Sequence, residues 1–291
     1  MLVRRTLPHK AIRTVGAFCF VDHYGPTLGE PMVVPPHPHT GLQTVSWLLS
    51  GTIDHRDSVG SVQRIQPGEL NLMTAGHGIA HSEYSVGDDV LHGVQLWVAL
   101  PEGGRHQAPH FEHHADLPTS DHAGIEVRVV MGDLLGLRSP AATYSPLICA
   151  ELRLQPGRHR LPVASEFEHG LLLIDGDLDV DGMPVPRAAL LHRTPGVEAL
   201  DLVSPGGATV LLIGGEPLGE DLLMWWNFVG RTHEEIVAAR DAWASGGFGS
   251  VVDDPRAPLP APDLPGVRLK PRANRPVRPA GVADSIPPGV F

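Results

Sequence analysis

Residues 36–41 of the chain read PHPHTG, and residues 75–83 read AGHGIAHSE. Each stretch places two candidate ligands one residue apart, His37 with His39 and His81 with Glu83. On an extended strand this spacing puts both side chains on one face, about 6.6 Å apart along the backbone. A folded sheet that joins the two pairs would bring three imidazoles and one carboxylate to a single point. The sequence therefore predicts a site for a first-row transition metal.

The donor set limits the chemistry of this site but leaves the ion open. Imidazole and carboxylate ligands suit iron, manganese, cobalt, nickel, copper and zinc alike. The set contains no thiolate, which disfavours a closed structural zinc site. Four protein ligands on an octahedral ion leave two positions for water, substrate or dioxygen. Among 17 histidines, one such pair could arise by chance. Two pairs that both lie beside glycines are harder to explain by chance and favour a metal site.

The composition is that of a globular protein with ample material for a core. The 291 residues are 42% hydrophobic and 19% charged, which fits one large or two ordinary domains. No apolar run approaches the roughly 18 residues that span a bilayer, and residues 1–6 lack the apolar region of a secretory signal. Cys19 and Cys149 stand in apolar runs, as buried thiols do. These features predict a cytoplasmic protein that binds no membrane.

The formal net charge of −11 argues against a nucleic-acid partner, because binding phosphates needs a dense positive surface. One basic cluster lies near the C-terminus, within a proline-rich stretch that favours a solvated tail. Its members are Arg268, Lys270, Arg272, Arg275 and Arg278. The sequence therefore predicts no direct nucleic-acid partner.

The pattern along the chain is that of many short strands joined by tight turns. The 33 glycines and 29 prolines follow no collagen period and separate runs rich in Val, Leu and Ile. Strands are predicted within residues 41–51, 51–60, 71–74, 93–98, 125–130, 147–154, 170–174, 188–191 and 208–213. The His- and Pro-rich residues 101–121 are predicted to form a connector. The pattern therefore favours an all-β protein of two similar β units.

One helix is predicted over residues 232–244. Thr232 can cap its N-terminus with Glu235 as the capping-box partner, and Gly246 and Gly247 can end it. From residue 254 onward the chain is proline-rich without clear periodicity. The expected organisation is an N-terminal barrel over residues 1–120, a second barrel over residues 121–250, and an extended or disordered tail over residues 251–291.

Residues 37–45 and 71–83 closely resemble the pirin family of bicupins. The resemblance extends to residues 6–8, 15–16, 22–26, 93–98, 215–218 and 227–229, and covers about residues 1–250. It implies two cupin β-barrels face to face, with a metal in the N-terminal barrel on His37, His39, His81 and Glu83. It also implies a second barrel without a metal, in agreement with the absence of a His-x-His pair near residue 158.

The resemblance implies dioxygenase activity on flavonols such as quercetin, with a small aromatic substrate and O2 as partners. A ligand set rich in neutral imidazoles suits Fe(II), which is the expected ion, with Mn, Co, Ni, Cu and Zn as alternatives. Glu83 is the candidate acceptor for the proton of the substrate hydroxyl. The alternative function is an iron-binding redox sensor or regulator that acts through a protein partner without turnover.

Two residues depart from the family pattern. Gln43 stands where many relatives have Glu, at a position that is not normally a ligand in pirins. Metal binding is therefore expected to survive with altered hydrogen bonding around the ligands. His77 stands where relatives often have Arg, so a titratable group replaces a cation at the expected pocket mouth.

Overall fold

The computed structural model describes residues 1–272 and the backbone of residues 283–286 and 289–290. Its elements, in chain order, are β1 (Val3–Leu7), β2 (Phe18–Thr27), β3 (Val33–His39), β4 (Leu42–Ser50), β5 (Ile53–Asp57), β6 (Val62–Ile65), β7 (Leu70–Thr74), β8 (Ile79–Ser85), β9 (Leu91–Ala99), β10 (His110–His114), β11 (Thr119–His122), β12 (Ile125–Leu134), β13 (Leu137–Arg138), β14 (Leu147–Leu154), β15 (Gly157–Pro162), β16 (Glu168–Gly176), β17 (Leu178–Val180), β18 (Met183–Val185), β19 (Leu190–Arg193), β20 (Ala199–Ser204), β21 (Ala208–Gly215), β22 (Leu223–Trp225), β23 (Phe228–Gly230), α1 (His233–Ala244), β24 (Ala283–Ile286) and β25 (Gly289–Val290). The prediction of an all-β protein with one short helix is confirmed.

The chain forms two compact units. The first includes residues 1–2, 24–115 and 219–272. In this unit four neighbouring strands of one sheet have the order β10-β7-β4-β9, and a second sheet has the order β3-β8-β5-β6. The first unit also contains the β22–β23 hairpin and α1. The second sheet carries both sequence stretches that predict the metal site.

The second unit includes residues 3–23 and 116–218. One of its sheets has the order β11-β12-β14-β21-β16-β19-β24, and the other has the order β15-β20-β17-β18. Strand β14 shows how alternation builds this core, because Ile148, Ala150, Leu152 and Leu154 all belong to one buried cluster. Burial of each such leucine contributes about 1.5–3 kcal/mol.

The predicted helix begins and ends where its capping residues indicate. The Thr232 side chain accepts a hydrogen bond from the Glu235 N–H at 3.2 Å, while Glu235 accepts one from the Arg231 N–H. At the other end the N–H groups of Gly246 and Gly247 bond to carbonyls of the last turn. Ile236 and Trp243 pack with Ala80 of β8. The helix therefore covers the face of β8 opposite to its predicted ligands.

The connector predicted over residues 101–121 is wrong in part, because it contains strands β10 and β11. His110 and His113 lie on β10, which pairs with β7. The Nδ1 atom of His113 is 2.6 Å from the Asn71 side-chain oxygen. Composition does not predict β10 as a strand, because it is rich in His and Glu and packs against the core only through Phe111.

The tail predicted over residues 251–291 lies partly outside the described residues. Residues 251–271 form no helix or strand, but they pack against α1 through side chains that include Val251 and Leu264. The Leu259 N–H bonds to the Pro36 carbonyl at 2.8 Å. Of the basic cluster, Arg275 and Arg278 lie outside the described residues. No helix in the described part of the chain is long and apolar enough to cross a membrane.

Replacement of Gly76 by Ala is expected to destabilise the first unit by roughly 2–4 kcal/mol. Gly76 has φ +52°, and a Cβ there would collide with the carbonyl oxygen of Gln107. Gly87→Ala is the matched control, because Gly87 has φ +78° with no described atom within 4 Å of an added Cβ. Urea denaturation measures both, and an equal effect of the two substitutions would contradict a role for the close backbone contact.

Candidate metal centre

Three neighbouring strands present the candidate ligands on one face of a sheet. Strand β8 lies between β3 and β5, with His81 opposite His37 on one side and Asp57 on the other. Glu83 lies opposite His55 of β5. Because alternate residues of a strand share a face, His81 and Glu83 point the same way.

A bulge in β3 sets the face on which His37 lies. Pairing shifts between Val34, which lies opposite Glu83, and His37, which lies opposite His81. Three steps along β3 therefore match two steps along β8. Pro35 and Pro36 lack an N–H, and prolines occur in sheets mainly at edges and bulges. Without the extra residue, His37 would lie opposite Ala80 and point to the other face.

The three predicted histidine ligands form one buried cluster. His37, His39 and His81 each offer a ring nitrogen, and these atoms lie within 4.8 Å of one another. The ring of His81 has its centroid 4.3 Å from that of His37 and 5.0 Å from that of His39. Their side chains are 7%, 2% and 1% exposed. The structure thus brings these three predicted residues together.

Burial keeps these imidazoles neutral. It lowers the pKa of His37 to about 4, although a hydrogen bond with the Pro35 carbonyl works in the opposite direction. Burial, followed by repulsion from neighbouring histidines, also holds the pKa values of His39 and His81 well below the usual value. Nδ1 of His37 must carry its hydrogen, because it lies 2.9 Å from the Pro35 oxygen, which only accepts. The lone pair of His37 is therefore on Nε2.

Glu83 belongs to a second, overlapping cluster. Its carboxylate, His81 and His55 offer ligand atoms that lie within 4.8 Å of one another. The Ser46 hydroxyl lies 2.8 Å from Glu83 Oε1. Burial raises the pKa of Glu83, which opposes the effects of His55 and of the Ser46 bond. The four predicted residues thus occupy two clusters that share His81.

His55 is the member of the site that sequence reasoning missed. It is 2% exposed, and its ring stacks on Phe111 with centroids 4.5 Å apart and an 18° angle between planes. One signal was available in the sequence, since the charged Asp54 and Arg56 alternate with Ile53 and His55, and burial along β5 follows the same alternation. That alternation places His55 on a buried face, but the sequence does not show that the face is shared with His81.

The two residues that depart from the family pattern lie in different surroundings. Gln43 is buried on β4, and its amide donates a hydrogen bond to the Thr74 hydroxyl at 3.0 Å. His77 is exposed and lines a cavity of about 310 Å³ together with Arg105 and His106.

The residues present fit a transition metal. Nε2 of His81 and Nδ1 of His39 are buried with no hydrogen-bond partner among the described residues. Leaving a buried polar atom unpaired costs about 1–3 kcal/mol, and binding of a cation to such a lone pair removes the cost. Neutral imidazole nitrogens and a carboxylate are suitable ligands for first-row ions. Both clusters compact enough for an ion, within the described part of the chain, lie in the first unit.

The second unit has its own buried titratable group, His169 on β16. Burial, followed by the nearby charges of His192 and Arg193, lowers the pKa of His169 to about 4. The side chain is 1% exposed, and its Nδ1 has no hydrogen-bond partner in the region that the structure describes.

The His169→Leu variant is expected to flatten the dependence of stability on pH. A histidine in the unfolded chain has a pKa of about 6.5, so between pH 6.5 and 4 the unfolded state binds a proton that the folded state does not. The stability from a neutral His169 is therefore complete above pH 6.5 and is lost as the pH falls through this window. From pH 8 to pH 5 the loss is roughly 2 kcal/mol. Urea denaturation at both pH values checks this. An equal change in the free energy of unfolding from pH 8 to pH 5 in wild type and variant would contradict it.

The strand architecture and the buried histidine cluster define a cupin-type metal-site protein with two β units. The chain belongs to the pirin family: the Pirin model matches residues 1–98, and the model for the pirin C-terminal cupin domain matches residues 149–249. Both sequence-derived expectations, the family and the bicupin class, are thereby confirmed.

Individual relatives cover most of the chain. It is 44% identical over 272 residues to a Pseudomonas aeruginosa protein named "Putative quercetin 2,3-dioxygenase", with 90% of this chain and 86% of that protein covered. It is 31% identical to human pirin over 246 residues, with 81% of this chain and 84% of human pirin covered. The crystal structure of quercetin 2,3-dioxygenase from Acinetobacter baumannii matches with a TM-score of 0.88 and 39% identity, covering 92% of each chain.

Proposed function

We propose that the chain is a metal-dependent dioxygenase that opens the ring of a flavonol such as quercetin with O2. The proposed ligands are His37, His39, His81 and Glu83 around one ion. The observation that carries the proposal is the buried cluster of three imidazoles, which shares His81 with a second cluster that contains the Glu83 carboxylate. The relatives from Pseudomonas aeruginosa and Acinetobacter baumannii, whose names specify this activity, support the choice of substrate class.

The ion would act as a Lewis acid that lowers the pKa of the substrate hydroxyl and favours its enolate form. The protein then supplies a base for the released proton. A Glu83 oxygen is suited to take it, because a carboxylate that gives one oxygen to the ion keeps a second oxygen for the proton. The Ser46 hydroxyl, 2.8 Å from Oε1, would orient this carboxylate.

The immediate surroundings of the ligands favour chemistry that must exclude water. His39 packs edge-on to Trp97 with centroids 5.1 Å apart, and the ligand side chains are nearly buried. A reactive enolate in such a site would be shielded from bulk solvent.

We propose Fe(II) as the native ion, because the ligand set is rich in neutral imidazoles. We propose the cytoplasm as the compartment, because the buried Cys19 and Cys149 form no disulfide.

Anaerobic reconstitution with Fe(II) followed by addition of quercetin and O2 tests the proposal. The expected result is oxygen uptake in proportion to loss of the flavonol absorbance band. Protein loaded with Zn(II), which has no redox chemistry, is the matched control and should show little uptake. Stoichiometric iron binding without oxygen uptake would contradict the proposal and favour the iron-binding regulator that acts through a protein partner.

A further inference from the structure

His55 and Asp57 lie behind the proposed ligand His81 and are not themselves among the proposed ligands. Oδ2 of Asp57 lies 3.3 Å from Nε2 of His55, and Nδ1 of His55 lies 3.4 Å from Nδ1 of His81. The three side chains therefore form a continuous chain from a carboxylate to a candidate ligand. All three are nearly inaccessible, with exposures of 0%, 2% and 1%.

The hydrogen positions along this chain follow from the Asp57 end. Oδ1 of Asp57 accepts hydrogen bonds from the N–H groups of Val59 and Ser61, at 3.0 and 2.9 Å. Burial acts to raise the pKa of Asp57, but the bonds from His55 and Ser61 outweigh it and hold the pKa below its usual value. Asp57 is thus a carboxylate, which only accepts. The hydrogen between Asp57 and His55 therefore belongs to Nε2 of His55.

This arrangement determines the tautomer of His81. In the Nε2–H tautomer of His55, the Nδ1 atom presents a lone pair. The facing Nδ1 of His81 must then carry the hydrogen of that contact. Nε2 of His81 is left with a lone pair, and it is the buried His81 atom that has no partner among the described residues.

We propose that Asp57 and His55 are positioning residues that hold His81 in the Nδ1–H tautomer, with Nε2 available to the metal. The inference rests on the metal site of the proposed function and extends it by two residues. Histidine ligands commonly donate their second N–H to a carboxylate or carbonyl, which fixes the ring and strengthens the ligand. Here an additional imidazole lies between the ligand and the carboxylate. Phe111, stacked on His55, holds that imidazole in plane.

Asp57→Asn is the most direct test, because it reverses the direction of the hydrogen bonds from residue 57 to His81 without changing the size of the side chain. The amide oxygen would take the place of Oδ1, where two N–H groups point, so the amide NH2 would face His55. His55 would then accept at Nε2, carry its hydrogen on Nδ1, and leave His81 with its hydrogen on Nε2. The metal-free protein is labelled with 15N histidine, and long-range 1H–15N NMR correlations distinguish the two tautomers directly. The His81 signals are assigned by their loss in His81→Ala.

The expected result is an Nδ1–H tautomer of His81 in the wild type and an Nε2–H tautomer in Asp57→Asn. Co(II) affinity, measured by competition with a chromophoric chelator, is expected to fall about 10–100-fold in Asp57→Asn and in His55→Phe. The visible Co(II) spectrum at saturation is expected to stay unchanged, because the ligands are the same. Tyr84→Phe is the matched control: it removes the 2.6 Å bond to Asp254 from the same strand and should leave affinity and tautomer unchanged.

Several outcomes would overturn the inference. An Nδ1–H tautomer in Asp57→Asn, or unchanged Co(II) affinity in both variants, would show that the chain does not position His81. A changed Co(II) spectrum in His55→Phe would show that His55 is itself a ligand, as its cluster with His81 and Glu83 permits. If His55→Phe does not fold, Asp57→Asn decides alone. Failure of the wild type to bind Co(II) would instead refute the metal site of the proposed function.

Discussion

The His81→Ala variant is expected to lose both metal binding and flavonol turnover. His81 is the one residue shared by the two clusters, so its removal leaves two proposed imidazole ligands on β3 and separates them from Glu83. Loss of residues that only support a ligand costs about 10–100-fold in metal affinity, and loss of a ligand itself should exceed this. Metal analysis after reconstitution, together with oxygen uptake in the presence of quercetin, measures both effects.

The same substitution should affect stability far less than it affects binding. Removal of an imidazole that is costly to bury offsets part of the cavity that it leaves, so a change within about 2 kcal/mol is expected. His122→Ala on β11 is the control for loss of a histidine elsewhere and should retain metal and turnover. Full metal occupancy in a folded His81→Ala would contradict the role of His81 as a ligand.

The sequence predicted the parts of this site that local spacing determines. The pairs His37/His39 and His81/Glu83 are each one residue apart on a strand, and both strands exist, in β3 and β8. The prediction that the three histidines meet required the two strands to be neighbours. The structure shows that they are, with His37 directly opposite His81.

What the sequence could not show is the order of strands within the sheet. In this sheet the order is β3-β8-β5-β6, so β8 is flanked by two strands that are distant from it along the chain. His55 and Asp57 have the same spacing as the recognised pairs, but only this pairing brings them to His81. The bulge at Pro35 and Pro36 is similarly non-local, because its effect on His37 depends on the register with β8.

Glu83→Gln is expected to bind iron more weakly and, when saturated with Fe(II), to lose most flavonol turnover. Glutamine keeps the size of the side chain and an oxygen that can accept the Ser46 hydrogen bond, but its neutral amide cannot take up the substrate proton. Loss of a general base typically lowers the rate by about 10²–10⁴-fold. Iron content and oxygen uptake, measured on the same preparation, separate the effect on binding from the effect on turnover.

Ser46→Ala provides the matched comparison for Glu83→Gln. It removes the hydroxyl that lies 2.8 Å from Oε1 but keeps the carboxylate, so turnover should fall less than in Glu83→Gln. If Glu83 served only as a ligand, Glu83→Gln would lower turnover in proportion to iron content, and excess Fe(II) would restore it. If Glu83 takes the proton, turnover per bound iron stays low at any Fe(II) concentration. Unchanged turnover per iron in Glu83→Gln would therefore remove the base from the proposed mechanism while leaving the metal site intact.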